Sequence, residues 1–400
     1  MSRRPRILYL CNHCPTAPSY GAQIRALNVG RQLQRAGDVT LVLASHAQWT
    51  PEELEATRRL FDLRRVVRLI DTPLNGPWDR VRNEFDPGFL NASRTGVPRE
   101  DEAAVRALLQ EHDVVWISRM HMANAFRLGV CPRSILDFDD LMGDYYAATA
   151  RDARGVSAIN ARRLSWIWRR REARWRKRFT FAAVCSEADR ERLGGGPRVR
   201  VVPNGFEAPA ERPVRAPIGN RLGFIGTFKY PPNVEGMAWF ARDAWPEVLR
   251  RIPDAELRVI GAGDVDPSVR SAPRATVLGF VEDAAAEMAT WSASIVPIHV
   301  GGGTRIKIAE AFSKSIPVVS TSLGAFGYEA TNGRELLLAD DAAGFAEACA
   351  ALLGDPRRGE EMADRAWELF EAKYSWDAIG GAVADVVRAC LETAPRASRS

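Results

Sequence analysis

Three glycines, Gly301, Gly302 and Gly303, are followed at once by Thr304, Arg305, Lys307 and Glu310. The spacing of Lys307 and Glu310 puts both on one face of a helix that is predicted to begin at Thr304. Glycines let a ligand approach the backbone closely. The first helical turn offers unpaired N–H groups and a positive dipole end, which suit a phosphate. Arg305 and Lys307 add two full charges, and the Glu310 carboxylate accepts hydrogen bonds only. An anion cradle with a hydroxyl-binding carboxylate beside it suits a nucleotide diphosphate sugar.

Further candidates follow other strand-like runs. In GTFKYPPN, Gly226 and Thr227 close a strand and Lys229 sits on the loop after it. Lys229 either neutralises a donor phosphate or is an ordinary loop lysine. In GFVED, the backbone of Phe280 and Val281 is placed to read a base edge, while Glu282 is placed to cap the next helix. Gly21 heads a helix and offers a second approach to a diphosphate, and Arg25, one turn on, reads equally well as a surface charge. His121, Asp139 and Asp140 also follow strands and are the candidates for contact with an acceptor hydroxyl. One carboxylate of DFDD can instead cap a helix ahead of Leu141. Cys11, His13 and Cys14 invite a metal, but no second ligand pair at zinc spacing accompanies them, so no metal site is expected.

Positioning these groups requires alternating strands and helices. Apolar runs predict strands at 6–11, 39–44, 66–70, 114–117, 134–138, 181–185 and 199–202. Helices are predicted at 21–36, 51–61 and 100–110, with a long basic helical region over 147–179. Proline and glycine then cluster over 203–219, the composition of a linker. The pattern restarts with strands at 221–226, 256–260, 276–278, 293–298 and 316–319, and ends in helices at 342–353, 357–374 and 376–391. Such alternation gives parallel sheets, whose ligands bind at the carboxyl ends of the strands. The fold class is therefore α/β, with two Rossmann-like domains facing across a cleft.

Composition narrows the class. Of 400 residues, 46% are hydrophobic and 26% charged, which fits a globular chain with ample core. No apolar run approaches the ~20 residues that cross a bilayer, and the N-terminus reads as a first strand rather than a signal peptide, so a cytoplasmic chain is expected. Six cysteines mostly lie in apolar runs and read as buried thiols. Residues 162–178 hold nine basic residues and one acid, so the rest of a chain with net charge +5 is net negative. Leu164, Trp168, Trp175 and Phe179 form one apolar stripe of that helix, with Trp166, Ile167 and most arginines on the other faces. The segment is either a packed helix with a solvated back or an adhesion surface for an anionic membrane. No nucleic-acid recognition motif accompanies it.

PNG at 203–205, GTFKYPPN, GFVED and GGGTRIKIAEA with PVVSTSLGAFG resemble the GT-B glycosyltransferases of family 4, nearest to bacterial exopolysaccharide-associated sugar transferases. The resemblance spans most of the chain and is stronger in its second half. It implies an acceptor-binding domain at 1–205, a nucleotide-sugar domain at 206–375, and a last helix, 376–393, crossing back to the first. It implies metal-independent transfer of sugar, with retention, from a nucleotide diphosphate sugar to a hydroxyl of a glycan, lipid-linked or small-molecule acceptor, with no cofactor. Lys229, Arg305 and Glu310 would then carry the catalysis. Gly21, Gly226, Thr227, Val281, Gly301, Gly302, Gly303, Thr304 and Lys307 would hold the donor. Family members typically carry two glutamates; Glu310 matches the second, and Gly302 stands where the first would be. A nucleotide-sugar epimerase of the same fold, or a noncatalytic membrane-surface protein on this scaffold, are the competing readings.

Overall fold

The computed structural model describes residues 3–16, 21–74, 76–85 and 93–393. Two compact units emerge: Met1–Pro203 with Ile379–Ser400, and Asn204–Ala378.

The first unit is built on seven parallel strands in the order Asp62–Arg68, Asp38–Ser45, Arg6–Cys11, Val114–Ser118, Cys131–Asp137, Phe179–Val184 and Val199–Val201. Its central strands are apolar on both faces, as parallel strands covered by helices must be. Leu8, Leu10, Ile117 and Leu136 are fully buried in one cluster with Trp168, Trp175 and Phe179. The stripe predicted on the basic helix therefore faces the core, although Phe179 itself opens a strand. Ile167 joins the buried side, and Trp166 remains half exposed. The long basic region breaks into two helices, Met142–Asp152 and Gly155–Arg176. Beyond the strand Asp62–Arg68 lie a small antiparallel ribbon, Ile70–Pro73 with Ser93–Gly96, and a helix, Pro77–Phe85.

The second unit holds six parallel strands in the order Ala275–Gly279, Glu256–Ile260, Arg221–Ile225, Ala293–Val296, Val318–Ser320 and Leu337–Leu338. Phe224, Leu257, Val259 and Ile295 are fully buried beneath Phe240, Trp245 and Phe345. The last helix runs Trp376–Glu392 and belongs to the first unit from Ile379 onward.

Two local expectations change. Asp283, not Glu282, caps helix Ala284–Ala289, its side chain accepting from Ala286 N at 2.9 Å. The DFDD carboxylates do not cap the next helix: Leu141 is its cap position and no side chain bonds there. Asp137 and Asp139 are instead drawn into ion pairs.

Candidate functional site

Four neighbouring strand ends of the second unit run into glycine-bearing turns. Strand Arg221–Ile225 gives way to Gly226, Glu256–Ile260 to Gly261 and Gly263, Ala275–Gly279 ends on Gly279, and Ala293–Val296 leads to the loop with Gly301 and Gly303. The turns are laced together by Gly226 N to Ile260 O (3.1 Å), Phe228 N to Ala262 O (2.7 Å) and Gly261 N to Gly279 O (2.7 Å). Gly261 has φ +145°, and a Cβ there would meet Gly226 O at 1.9 Å. No side chain can stand between these backbones.

Helix Ile306–Ser313 begins two residues later than the sequence predicts. Gly303 has φ +71° and Arg305 is extended, so the chain is still a loop at Thr304. Arg305 is the cap position and is buried, at 7% exposure. Its Nη1 donates to the carbonyls of Gly302 (2.5 Å) and Gly303, and its Nη2 to Val300 O (3.4 Å). Only its buried Nε lacks a partner. As folded, Arg305 braces the glycine loop from within. Thr304 Oγ1 accepts from Asn204 Nδ2 at 2.8 Å, which ties the same loop to the PNG segment.

Lys307 reaches the neighbouring turn. Its Nζ donates to Asn233 Oδ1 at 2.8 Å and lies 3.9 Å from the centroid of the Phe224 ring. A Cβ on Gly226 would meet this Nζ, and Asn233 Nδ2, at 2.8 Å, so the turn must be glycine for the ammonium to sit there. Burial, and then the Arg305 charge, push the Lys307 pKa down to about 7. Burial pushes Glu310 up to about 7, against the pull of Lys314 and Lys307. Glu310 is half-buried, and no hydrogen bond or ion pair engages its carboxylate among the described residues. Lys229 is exposed and has no side-chain partner among them. Thr227 Oγ1 accepts from Lys229 N at 3.3 Å. Val281 is half-buried, and Phe280 before it is 78% exposed.

The structure thus gathers Gly226, Thr227, Lys229, the glycine loop, Thr304, Arg305 and Lys307 in one unit, with Glu310 one turn along the helix from Lys307. Asn233 and Gly261 were not singled out from the sequence. Gly261 could have been found: IGAGD after a strand is a third glycine turn of the same kind. Asn233 gives no such signal, because only folding brings it to a lysine 74 positions away.

The first unit holds a cavity of about 560 Å³ lined by Asn12, His13, His46, Trp49, Arg119 and His121, among others. Burial and the Arg119 charge push His13 and His121 down to about 4, so both imidazoles are neutral at pH 7. Asn12 Oδ1 is buried without a partner. Asp139 is not on the wall; it pairs with Arg119, its Oδ2 accepting from Nε at 3.1 Å and Nη2 at 2.5 Å, and its charge opposes the lowering of the His13 pKa. Both ends of this pair have positive φ, +68° and +57°. Asp140 is half-buried and also off the wall. Gly21 opens helix Gly21–Ala36, and the four residues before it lie outside the described residues. Arg25 is no surface charge: at 4% exposure it pairs with Asp137 at 2.8 Å. Among the described residues, no group of three His, Cys, Asp or Glu is placed to hold a metal.

Two parallel-sheet α/β units, each with its strand ends opening onto turns, define the GT-B fold. HepE of Anabaena, solved with UDP and glucose, superposes with a TM-score of 0.66 at 12% identity, covering 96% of this chain and 100% of that one. Sucrose-phosphate synthase of Thermosynechococcus elongatus gives 0.65 at 16% identity, over 96% and 99%. Residues 219–355 match the family model described as glycosyl transferases group 1. A phosphatidyl-myo-inositol mannosyltransferase of Mycolicibacterium smegmatis is 30% identical over 173 residues, 41% of this chain and 44% of that protein. The chain covers less than half the length of the first curated relatives it matches.

Proposed function

We propose that this chain is a glycosyltransferase of family 4 type. It moves a sugar from a nucleotide diphosphate sugar to a hydroxyl acceptor, with retention and without a metal, in the assembly of a polysaccharide or glycoconjugate. The observation that carries this reading is the row of glycine turns at which the Lys307 ammonium is set, with the unengaged Glu310 carboxylate one turn away. The hard step is departure of the diphosphate from the anomeric carbon. Charge grows on the leaving oxygen, and Lys229, Lys307 and the loop amides stabilise it. Arg305 keeps the loop in the shape that presents those amides. Glu310 accepts from a donor hydroxyl. The group 1 match over 219–355 and the UDP complex of HepE support a donor site in this unit.

The acceptor belongs in the cavity of the first unit. Its imidazoles are neutral and its Arg119 is already matched by Asp139, so the wall favours hydroxyl groups over a second anion. A thermal-shift screen against UDP-, GDP-, ADP- and dTDP-sugars tests the donor half. A donor at ~100 times its Kd adds ~2.7 kcal/mol to the state that binds it. Stabilisation by one base series, followed by transfer to sugar acceptors, is the expected result. Stabilisation by none of the four would remove the proposal, and isomerised donor without acceptor would reassign it to an epimerase.

Helix Gly155–Arg176 supports contact with an anionic membrane through residues 162–178. No helix of the described residues is long and apolar enough to cross one. On the solvent side of this helix Val156 is 83%, Ile159 65% and Trp166 50% exposed, beside exposed Arg162, Arg170 and Arg174. Apolar residues among cations suit a headgroup boundary, where each cation contributes ~1 kcal/mol. In flotation with vesicles containing acidic lipid the chain is expected to rise, and Trp166→Ala with Arg170→Gln is expected to sink. Equal behaviour with neutral vesicles would contradict the surface reading.

A further inference from the structure

We propose that Asn233 is a positioning residue: its side-chain amide ties the Lys307 ammonium to the turn at Gly226 and Thr227, and so sets where that cation meets the donor diphosphate. The inference rests on the donor-site reading above.

Both ends of the amide are committed. Nδ2 donates to Thr227 O at 2.7 Å, and Oδ1 accepts from Lys307 Nζ at 2.8 Å. The two contacts fix its orientation, because the reverse would set an NH₂ against an ammonium. Asn233 is 5% exposed and sits in the first turn of helix Pro231–Trp239. Helix and turn therefore hold it from two sides. The missing Cβ of Gly226 leaves the space that both Lys307 Nζ and Asn233 Nδ2 occupy.

A neutral partner suits this task. No carboxylate lies within ion-pair distance of Lys307 among the described residues. Strand Arg221–Ile225 faces it with the Phe224 ring and helix Pro231–Trp239 with Asn233, while Arg305 and Glu310 are the charged groups acting on it. An aspartate at 233 would hold the cation more strongly and would repel a phosphate. An amide orients the lysine and leaves its charge uncommitted. The low affinity of the buried amine for its proton has a consequence. Above neutral pH the free protein has shed that proton, and an arriving diphosphate restores it. Donor binding at pH 8 therefore takes up a proton.

The chain has five lysines, Lys177, Lys229, Lys307, Lys314 and Lys373, so a ¹³C-lysine NMR titration of the whole protein resolves the case. Lys307→Met assigns the signal. One lysine is expected to titrate near pH 7, and Asn233→Asp is expected to raise its midpoint by about one unit or more. UDP, GDP, ADP and dTDP are then added at pH 8. The nucleotide that binds is expected to raise the Lys307 midpoint, and Asn233→Leu is expected to weaken that response about tenfold in nucleotide concentration. A Lys307 signal indifferent to Asn233→Asp, or one that ignores a nucleotide which moves other signals, would overturn the proposal. Silence of all five signals to all four nucleotides would instead remove the donor-site reading.

Discussion

Lys307→Met lowers kcat/KM for the donor by about 10²- to 10³-fold, the range found when one preorganised donor is removed from a site of developing charge. Methionine keeps the length and the contact with Phe224 and removes only the charge and the bond to Asn233. The variant folds, because it relieves the cost of desolvating an ammonium. The pH profile carries the sharper signature, since kcat/KM reports groups in the free enzyme. Lys307 is lowered to about 7, so its charge is present below pH 7 and lost above it. Glu310 is raised to about 7, so its carboxylate is present above pH 7 and lost below it. The wild-type profile peaks near neutrality, and Lys307→Met keeps the acid limb while losing the alkaline one. An unchanged alkaline limb in the variant would assign that limb to another group.

Arg25→Met destabilises the first unit by about 3–5 kcal/mol, the cost of leaving one partner of a buried ion pair alone. Arg25 and Asp137 are 4% and 3% exposed. The guanidinium gives Nε and Nη2 to the two carboxylate oxygens at 3.1 and 2.8 Å, and Nη1 to the carbonyls of Val202 and Pro203 at 3.0 and 3.2 Å. Burial alone would lower the Arg25 pKa; the Asp137 charge outweighs it and holds the pKa above its usual value. Methionine leaves Asp137 buried without its hydrogen-bonded partner and removes the donor from two carbonyls. Calorimetry of a chain with two units can resolve two transitions. Only the one belonging to the first unit is expected to fall in temperature, with Lys307 chemistry untouched at low temperature. A loss below about 1 kcal/mol would mean that water replaces the guanidinium and that the network is not a keystone of that sheet.

The fold was legible because apolar runs such as ILYLC and SIV recur with helical stretches between them, and only parallel sheets use that order. The buried side of the basic helix was legible for the same reason, through Trp168 and Trp175. Burial of charge was not. Arg25 stands between apolar neighbours like any surface residue, and Asp137 closes a strand 112 positions away. Nothing local records that they meet. The start of helix Ile306–Ser313 was misplaced because Thr304 is a fair cap by type, while the positive φ at Gly303 prolongs the loop. The direction of the Arg305 side chain was equally hidden: the sequence shows a cation beside glycines, and the fold turns it onto their carbonyls. The cavity of the first unit draws on separated segments around Asn12, His46, Thr95 and His121, which no single motif contains.

The donor diphosphate is proposed to lie at the glycine turns of the second unit. A crystal structure with the nucleotide sugar selected by thermal shift tests it most directly. A phosphate oxygen is expected within hydrogen-bond distance of Lys307 Nζ, with a ribose hydroxyl on the Glu310 carboxylate. A nucleotide seated away from Gly226, Lys307 and Glu310 would contradict it.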